Sequence, residues 1–257
     1  MHKISKMKEY RGLTLILLIY KNIQLKYKQT FFGFFWTLLH PALYLLIFVA
    51  IFSNVFQTIP HYPLYVLSGL LFFVYFSEGT NRLCAVFLKN SHLIKSIGLP
   101  KSSYAITELG SEFVGFILGL IPFTVIMLFL GLKISLNMFY IIPVILLYTV
   151  FIYSIGIILG SLNVFFRDIS ILWSTLNPAI FYLSPIAFTS DIIPVNFRYL
   201  VYMNPLFHFL QIVRDVLYFG RPPSLHYSLI CLGITVMFYF LGLGIFKLTK
   251  NSFISNL

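Results

Sequence analysis

Residues 29–77 read QTFFGFFWTLLHPALYLLIFVAIFSNVFQTIPHYPLYVLSGLLFFVYFS, and this stretch contains no Asp, Glu, Lys or Arg. One helical crossing of a bilayer needs about 20 apolar residues, so the stretch is long enough for two. The segment from Gln57 to Pro63, with its two prolines, predicts the turn between them. We therefore expect a first span near residues 31–56 and a second span from Leu64 to about Leu88.

The composition of the whole chain excludes a water-soluble protein. Of its 257 residues, 59% are hydrophobic and 10% are charged, and the mean hydropathy is +0.92. Soluble domains carry about 25% charged residues, and so few charges cannot cover a globule of this size with polar surface. Cys84 and Cys231 lie inside apolar runs and lack the spacing of a disulfide framework or a zinc site. The composition predicts an all-α integral membrane protein.

Charged residues divide the rest of the chain into four more predicted spans, six in total. These spans cover residues 113–132, 139–162, 169–188 and 222–246. The fifth span is interrupted at Asn177-Pro178 and again at Pro185, and prolines kink a helix and free backbone groups that must be satisfied inside a bundle. We expect this irregular span to move or to face a pore.

Two segments outside the spans have their own predicted structure. Residues 1–30 are rich in lysine and place apolar residues at helical spacing, which predicts an amphipathic helix in the cytoplasmic interface. Residues 189–221 are too apolar for a plain loop and too charged for a seventh span. We interpret them as a re-entrant pair of short helices on the extracytoplasmic side, broken at Asn204-Pro205.

The distribution of basic residues gives the orientation. With both termini in the cytoplasm, 14 of the 18 Lys and Arg residues lie on the cytoplasmic side, as positive charge in short loops predicts. Residues 89–112 hold five charged side chains and are predicted to form a cytoplasmic loop. Glu78 and Arg82 are one helical turn apart in the second span, and we expect them to form an ion pair.

Motifs of enzymes are missing from the sequence. It has no Gly-rich phosphate loop, no paired-carboxylate metal motif and no His-Glu-x-x-His, and its six histidines have no ligand spacing. The net charge of +11 is explained by the cytoplasmic loops, so no nucleic-acid partner is invoked. Gly115-x-x-x-Gly119 and Gly156-x-x-x-Gly160 favour close helix packing within one subunit, with a dimer contact as the alternative.

Several short motifs occur in one order along the chain. They are Lys26-Tyr27-Lys28-Gln29-Thr30, then Gly33, Trp36 and Pro41, then residues 90–95 with Leu99-Pro100-Lys101, then residues 163–169, then 181–185, and finally Asn204-Pro205 and Arg214-Asp215. This succession on a six-span pattern resembles the membrane subunit of ABC-2 type polysaccharide exporters, which serve O-antigen, capsule and wall teichoic acid. The resemblance covers essentially the whole chain as a single transmembrane domain, residues 1–257. Phe32 departs from the usual Leu before Gly33, which is a conservative change.

The resemblance implies a homodimer in the bacterial inner membrane, joined to two copies of a separate ABC-type ATPase that would hold ATP and Mg²⁺. No cofactor is expected in this chain. The implied cargo is a polysaccharide on undecaprenyl pyrophosphate, foremost O-antigen. Alternatives are an ABC-2 permease for teichoic acid or for a small lipid or drug, and, in another class, a membrane-embedded glycan or lipid transferase that acts without an ATPase.

On this resemblance, four sets of residues receive expected roles. The ATPase contact is assigned to Lys89, Asn90, His92, Leu93, Ile94, Lys95 and Pro100, with Leu93 and Ile94 as apolar anchors, and to a second turn at Arg167 and Asp168. Attraction of the anionic head group is assigned to Lys21, Lys26, Lys28 and Arg82, with ordinary binding to anionic lipids as the alternative. The channel lining is assigned to Tyr44, Phe48, Phe52, Trp173, Phe181 and Tyr182, with packing or lipid contact as the alternative. An outer gate exposed to the path is assigned to Arg198, Asn204, Pro205, Arg214 and Asp215.

Overall fold

The computed structural model describes residues 2–28, 36–53, 55–57, 59–96, 99–130, 132 and 135–253. Within these ranges the regular structure is entirely helical. The α-helices are α1 His2–Tyr27, α2 Trp36–Phe52, α3 Tyr62–Lys89, α4 Ser91–Ser96, α5 Lys101–Phe129, α6 Ile141–Asn163, α7 Asp168–Leu183, α8 Arg198–Tyr202, α9 Pro205–Leu217 and α10 Leu225–Thr249. Short 3₁₀ turns cover Leu136–Tyr140, Ser190–Ile192, Val195–Phe197 and Lys250–Ser252.

Three helical segments in the described ranges are long and apolar enough to cross a membrane. They are Lys101–Phe129, Leu136–Asn163 and Leu225–Thr249, which correspond to the third, fourth and sixth predicted spans. The all-α membrane class is therefore confirmed, while the count of six spans stays a prediction. The helix α3 is 28 residues long, and α2 and α7 have 17 and 16 residues.

The helix α3 forms the centre of the fold. It packs against α2, α5, α6, α7 and α9, and most of its residues from Tyr62 to Phe87 are buried. A helix that is apolar on nearly all faces is stable only when neighbours cover it on nearly all faces. The other helices are therefore positioned by their contacts with α3.

Two glycines on α6 allow this helix to approach α3 closely. A Cβ at Gly160 would lie 2.5 Å from the carbonyl oxygen of Leu83, and a Cβ at Gly156 would overlap the Leu83 side chain. Small residues at such positions let helix backbones come close enough for extensive van der Waals contact. The Gly156-x-x-x-Gly160 motif thus packs within one subunit, as the intrachain interpretation predicts.

The boundaries of two elements differ from the sequence predictions. The predicted loop 89–112 is helical from Lys101 onward. Tyr104, Ala105 and Leu109 bury one face of this helix, and the carboxylates of Glu108 and Glu112 form ion pairs with basic side chains. The fifth span ends at Leu183 rather than at residue 188, and Pro178 lies inside α7 without ending it.

Residues 189–221 contain the predicted break at Asn204-Pro205, between α8 and α9. The Asn204 side chain accepts a hydrogen bond from the Leu206 backbone N–H (3.0 Å), and Pro205 occupies the first turn of α9. Both features favour a helix start. The pair of helices is confirmed, and its re-entrant placement in the bilayer stays a prediction.

We expect Gly160→Ala to weaken the α3–α6 contact, because the added methyl group overlaps the Leu83 backbone and overpacking costs about 1–3 kcal/mol. The purified protein in detergent should lose several degrees in its thermal unfolding midpoint. Gly233→Ala on α10 is the matched control, since nothing lies within 4 Å of its Cβ position. Equal midpoints for the two variants would contradict this account of the packing.

Candidate functional site

A cleft of about 380 Å³ lies between α2, α3 and α7. Its volume is within the range of small-molecule sites, about 300–1,000 Å³. The lining residues are Tyr44, Leu70, Phe73, Val74, Ser77, Glu78, Asn81, Ser174, Asn177, Pro178, Phe181 and Tyr182. The cleft thus combines aromatic rings with a carboxylate, two amides and two serine hydroxyls.

Three of the six predicted channel residues, Tyr44, Phe181 and Tyr182, line this cleft. The rings of Phe48 and Phe52 stack at 5.8 Å and continue from Phe181, whose centroid is 6.0 Å from that of Phe48. These five residues therefore lie in one aromatic row along α2 and α7.

Trp173 lies apart from the cleft lining. Its indole Nε1 donates to the Thr80 hydroxyl (3.0 Å), and its ring packs edge-on against Phe76 at 6.1 Å. The partly buried Trp173 side chain therefore fastens α7 to α3, which is the packing alternative for an aromatic residue.

The polar residues of the cleft were not among the predicted site residues. Asn177 was noted only as part of a helix kink, yet it is the one buried residue of α7, which is described throughout. Its Nδ2 donates to Asn81 Oδ1 (3.3 Å) across the contact with α3. In the sequence, Asn177 is recognisable as a polar residue next to a proline in an apolar helix. This pattern is found both at helix kinks and at binding sites, so it did not identify Asn177 as a site residue.

A cluster of charges lies where α1, α3 and α5 meet. Glu108 and Glu112 on α5 are buried. Glu108 binds Lys89 Nζ (2.7 Å) and accepts from Asn22 Nδ2 (3.0 Å), while Glu112 binds Lys26 Nζ at 2.8 Å and Arg82 Nε at 2.6 Å. The cluster joins α1, α3 and α5, and we refer to Lys26, Arg82, Lys89, Glu108 and Glu112 as the charge cluster.

This cluster changes the interpretation of three predicted residues. Arg82 lies 3.9 Å from Glu78, so the predicted pair within α3 is long, and its shorter contacts go to Glu112 and, at 3.6 Å, to Glu108. Lys26 faces Glu112 rather than water. A buried carboxylate without a partner would be strongly unfavourable, which explains why these cations are held here.

The predicted ATPase contact is partly corrected by the position of α4. Ile94 is 8% exposed and belongs to the hydrophobic core, so it is not an anchor for another protein. Leu93 is half-buried against the same core, whereas His92 and Lys95 are exposed. A helix of six residues buries the one apolar side chain that faces the bundle and leaves its polar side outside.

The residues that flank α4 have local roles. Lys89 binds Glu108, and Asn90 Nδ2 donates to the Val86 carbonyl (2.8 Å) at the end of α3. Pro100 directly precedes the first residue of α5. At the second predicted contact, Arg167 and Asp168 are exposed at the start of α7, where a carboxylate favours the helix N-terminus.

The expected exposure of Arg214 and Asp215 in an outer gate is wrong. Arg214 is 2% exposed, donates to the Pro185 and Ile186 carbonyls (2.6 and 2.8 Å), and stacks 3.7 Å above the Tyr65 ring. Burial lowers the pKa of Arg214 to about 10, so the guanidinium stays charged at neutral pH. The reason for burial is that this side chain satisfies carbonyls which the Ser184-Pro185 break leaves without helical partners.

The other residues of the predicted gate form local contacts that connect residues 184–224. Asp215 accepts from Arg221 (2.6 and 2.9 Å) and from the Ser224 N–H (3.0 Å), which fixes the turn into α10. Arg198 donates to the Ile193 and Asp191 carbonyls. Asn204 caps α9 together with Pro205, and its Nδ2 donates to the Ser184 hydroxyl (2.9 Å).

Comparisons with known proteins match nearly the whole chain. The family model described as ABC-2 type transporter matches residues 14–218. An O-antigen export system permease protein of Klebsiella pneumoniae is 30% identical over 244 residues, 93% of each chain, and one of Myxococcus xanthus is 25% identical over 97% of each chain. A polysialic acid transport protein of Escherichia coli is 22% identical over 96% of this chain and 98% of its own.

We expect a double-mutant cycle on Glu112→Gln and Lys26→Met to give a coupling of about 1–2 kcal/mol in the free energy of unfolding, because each variant removes the same contact. Glu112→Gln should lower the thermal unfolding midpoint more than Lys26→Met does, since it leaves Arg82 without its shortest contact as well. Strict additivity of the two changes would show that the pair contributes nothing to the junction of α1 and α5.

Proposed function

Since the chain belongs to the ABC-2 type transporter family, we propose that it is the permease subunit of an exporter that carries a lipid-linked polysaccharide, foremost O-antigen, across the bacterial inner membrane. The observation that carries the proposal is the match to O-antigen export permeases over 93% or more of both chains. The carrier lipid is undecaprenyl pyrophosphate in this proposal. The subunit itself transports and does not catalyse.

The energy for transport comes from a separate ABC-type ATPase, present in two copies, which binds ATP and Mg²⁺. The sequence carries no phosphate-binding loop, so nucleotide hydrolysis belongs to another chain. The exposed His92 and Lys95 on α4, with the half-buried Leu93, form one contact with this partner. The exposed turn at Arg167 and Asp168 forms the second.

Two copies of the chain enclose the conduit. The helix α7 has a single buried residue, and its outer surface carries Ser174, Thr175 and Tyr182 beside Ile171 and Leu172. Hydroxyls of this kind suit a water-filled path, because polar groups in membrane helices face a bundle interior or a cavity. A second copy facing α2 and α7 would place the aromatic row along the path between the subunits.

The amphipathic helix α1 guides the lipid carrier from the inner leaflet. Lys21 and Lys28 are exposed and free to approach a pyrophosphate, whereas Lys26 and Arg82 are held by Glu112. Both termini lie in the cytoplasm in this orientation, which follows the distribution of basic residues.

The ATPase contact can be tested with the double variant His92→Asp and Lys95→Glu, whose side chains are exposed. Lys95→Glu reverses a charge, His92→Asp adds a negative one, and like charges that meet across an interface cost several kcal/mol. We therefore expect loss of the ATPase from the detergent-purified complex and loss of surface polysaccharide in a strain that lacks the native permease. Co-purification and immunoblotting for the surface glycan measure the two effects.

The matched control is His226→Asp with Lys247→Glu, two exposed positions outside α4 that undergo the same chemical changes. This control should retain the ATPase and export. If the α4 variant also retains both, the assignment of α4 fails. If the unmodified chain with its ATPase restores no surface polysaccharide, the proposed function itself fails.

A further inference from the structure

The cleft between α2, α3 and α7 contains a buried polar atom with no partner. Asn177 is 4% exposed, and its Oδ1 has no hydrogen bond to any residue that the structure describes. Its Nδ2 is already used by Asn81. A buried acceptor without a hydrogen bond lowers the stability of the fold by about 1–3 kcal/mol. A molecule in the cleft that donates a hydrogen bond to this oxygen would remove that cost.

A second acceptor, Glu78 on α3, lies in the same cleft. The Glu78 side chain is 48% exposed and lines the cleft, and its ion pair with Arg82 is long at 3.9 Å. Arg82 forms its shortest ion pair with Glu112, with 2.6 Å between Arg82 Nε and Glu112 Oε1. The Glu78 carboxylate is therefore available to accept hydrogen bonds from a molecule that also reaches Asn177.

Aromatic rings form the remaining walls. Phe181 meets Phe73 edge-on at 4.9 Å, which fixes its orientation, and Tyr182 stands perpendicular to Phe181 at 5.4 Å. Tyr182 is 76% exposed, so its ring is open to a ligand at the mouth of the cleft. Rings of this kind offer a large apolar surface at little cost in side-chain entropy.

We propose that this cleft is a binding subsite for one or two uncharged pyranose units of the transported glycan, with Glu78 and Asn177 as hydrogen-bond acceptors and Tyr182 as the stacking surface. A pyranose matches the cleft because it presents several hydroxyl donors along its edge and an apolar C–H face. A few polar groups among aromatic walls are the usual composition of a small-molecule site. The inference rests on the proposed function and adds to it the class of sugar that the subsite binds.

The same geometry sets a charge preference. Among the described residues that line the cleft, Glu78 is the one carboxylate, and no Lys or Arg is found with it. A sugar carboxylate beside Glu78 would meet like charge in surroundings less polar than water, where repulsion is stronger. The subsite therefore favours neutral sugars over uronic or sialic acids.

The test uses the permease with its ATPase in nanodiscs and two probes, a mannose trisaccharide and a trigalacturonic acid, titrated by ligand-observed NMR. We expect the neutral trisaccharide to bind more tightly to the unmodified complex. Glu78→Gln should weaken its binding several-fold and reduce the preference over the acidic trisaccharide about tenfold. Asn177→Leu should weaken the neutral trisaccharide about tenfold or more, which corresponds to the lost hydrogen bond.

Asp191→Asn and Asn196→Leu are the matched controls, since both residues are exposed outside the cleft. They should leave both affinities unchanged. Equal binding of the two probes to the unmodified complex, or an unchanged preference in Glu78→Gln, would overturn the inference. Because Glu78 is half-exposed, Glu78→Gln is informative even if Asn177→Leu fails to fold. Surface polysaccharide made with the unmodified chain is measured separately, so the proposed function can stand while the subsite fails.

Discussion

The junction of α1, α3 and α5 depends on the burial of two carboxylates. Glu108 and Glu112 are stable in an apolar bundle only because Lys26, Arg82 and Lys89 reach them from α1 and α3. Removing a buried ion from its partners is far more costly than leaving an exposed pair unmade. The charge cluster therefore joins α1, α3 and α5 as one unit, and Lys89 places it at the end of α3, next to α4.

The junction of α3, α7 and α9 is organised by a different buried charge, Arg214. Arg214 stacks on Tyr65 of the central helix and binds the carbonyls of Pro185 and Ile186, where the chain leaves α7. The break at Ser184-Pro185 thus coexists with an ordered backbone, because a guanidinium supplies donors to the two carbonyls that follow it. The helix α7 is attached to α3 through Trp173 and Asn177, while most of its other side chains are exposed.

The candidate site was only partly predictable from residue types. The family resemblance and the affinity of aromatic rings for sugars indicated Tyr44, Phe181 and Tyr182, which do line the cleft, but the same reasoning included Trp173, whose ring packs on α3. Glu78 and Asn177 were visible as polar residues in apolar helices, and their convergence depends on how α3 and α7 cross. Likewise the basic loop around α4 was evident, whereas the inward direction of Ile94 was not.

The sequence by itself determined the helical membrane class, the positions of most helix ends, the break at Asn204-Pro205 and the family pattern, because apolar length, proline and the sign of loop charge act locally along the chain. Only the tertiary structure decided which charges meet. Arg82 sits one turn from Glu78, yet its short contact is with Glu112, thirty positions further along. Arg214, expected to be exposed in a gate, is instead buried against the Tyr65 ring and the carbonyls of Pro185 and Ile186. In a low-dielectric bundle a buried charge needs polar or aromatic partners, and packing rather than distance along the sequence brings those partners near.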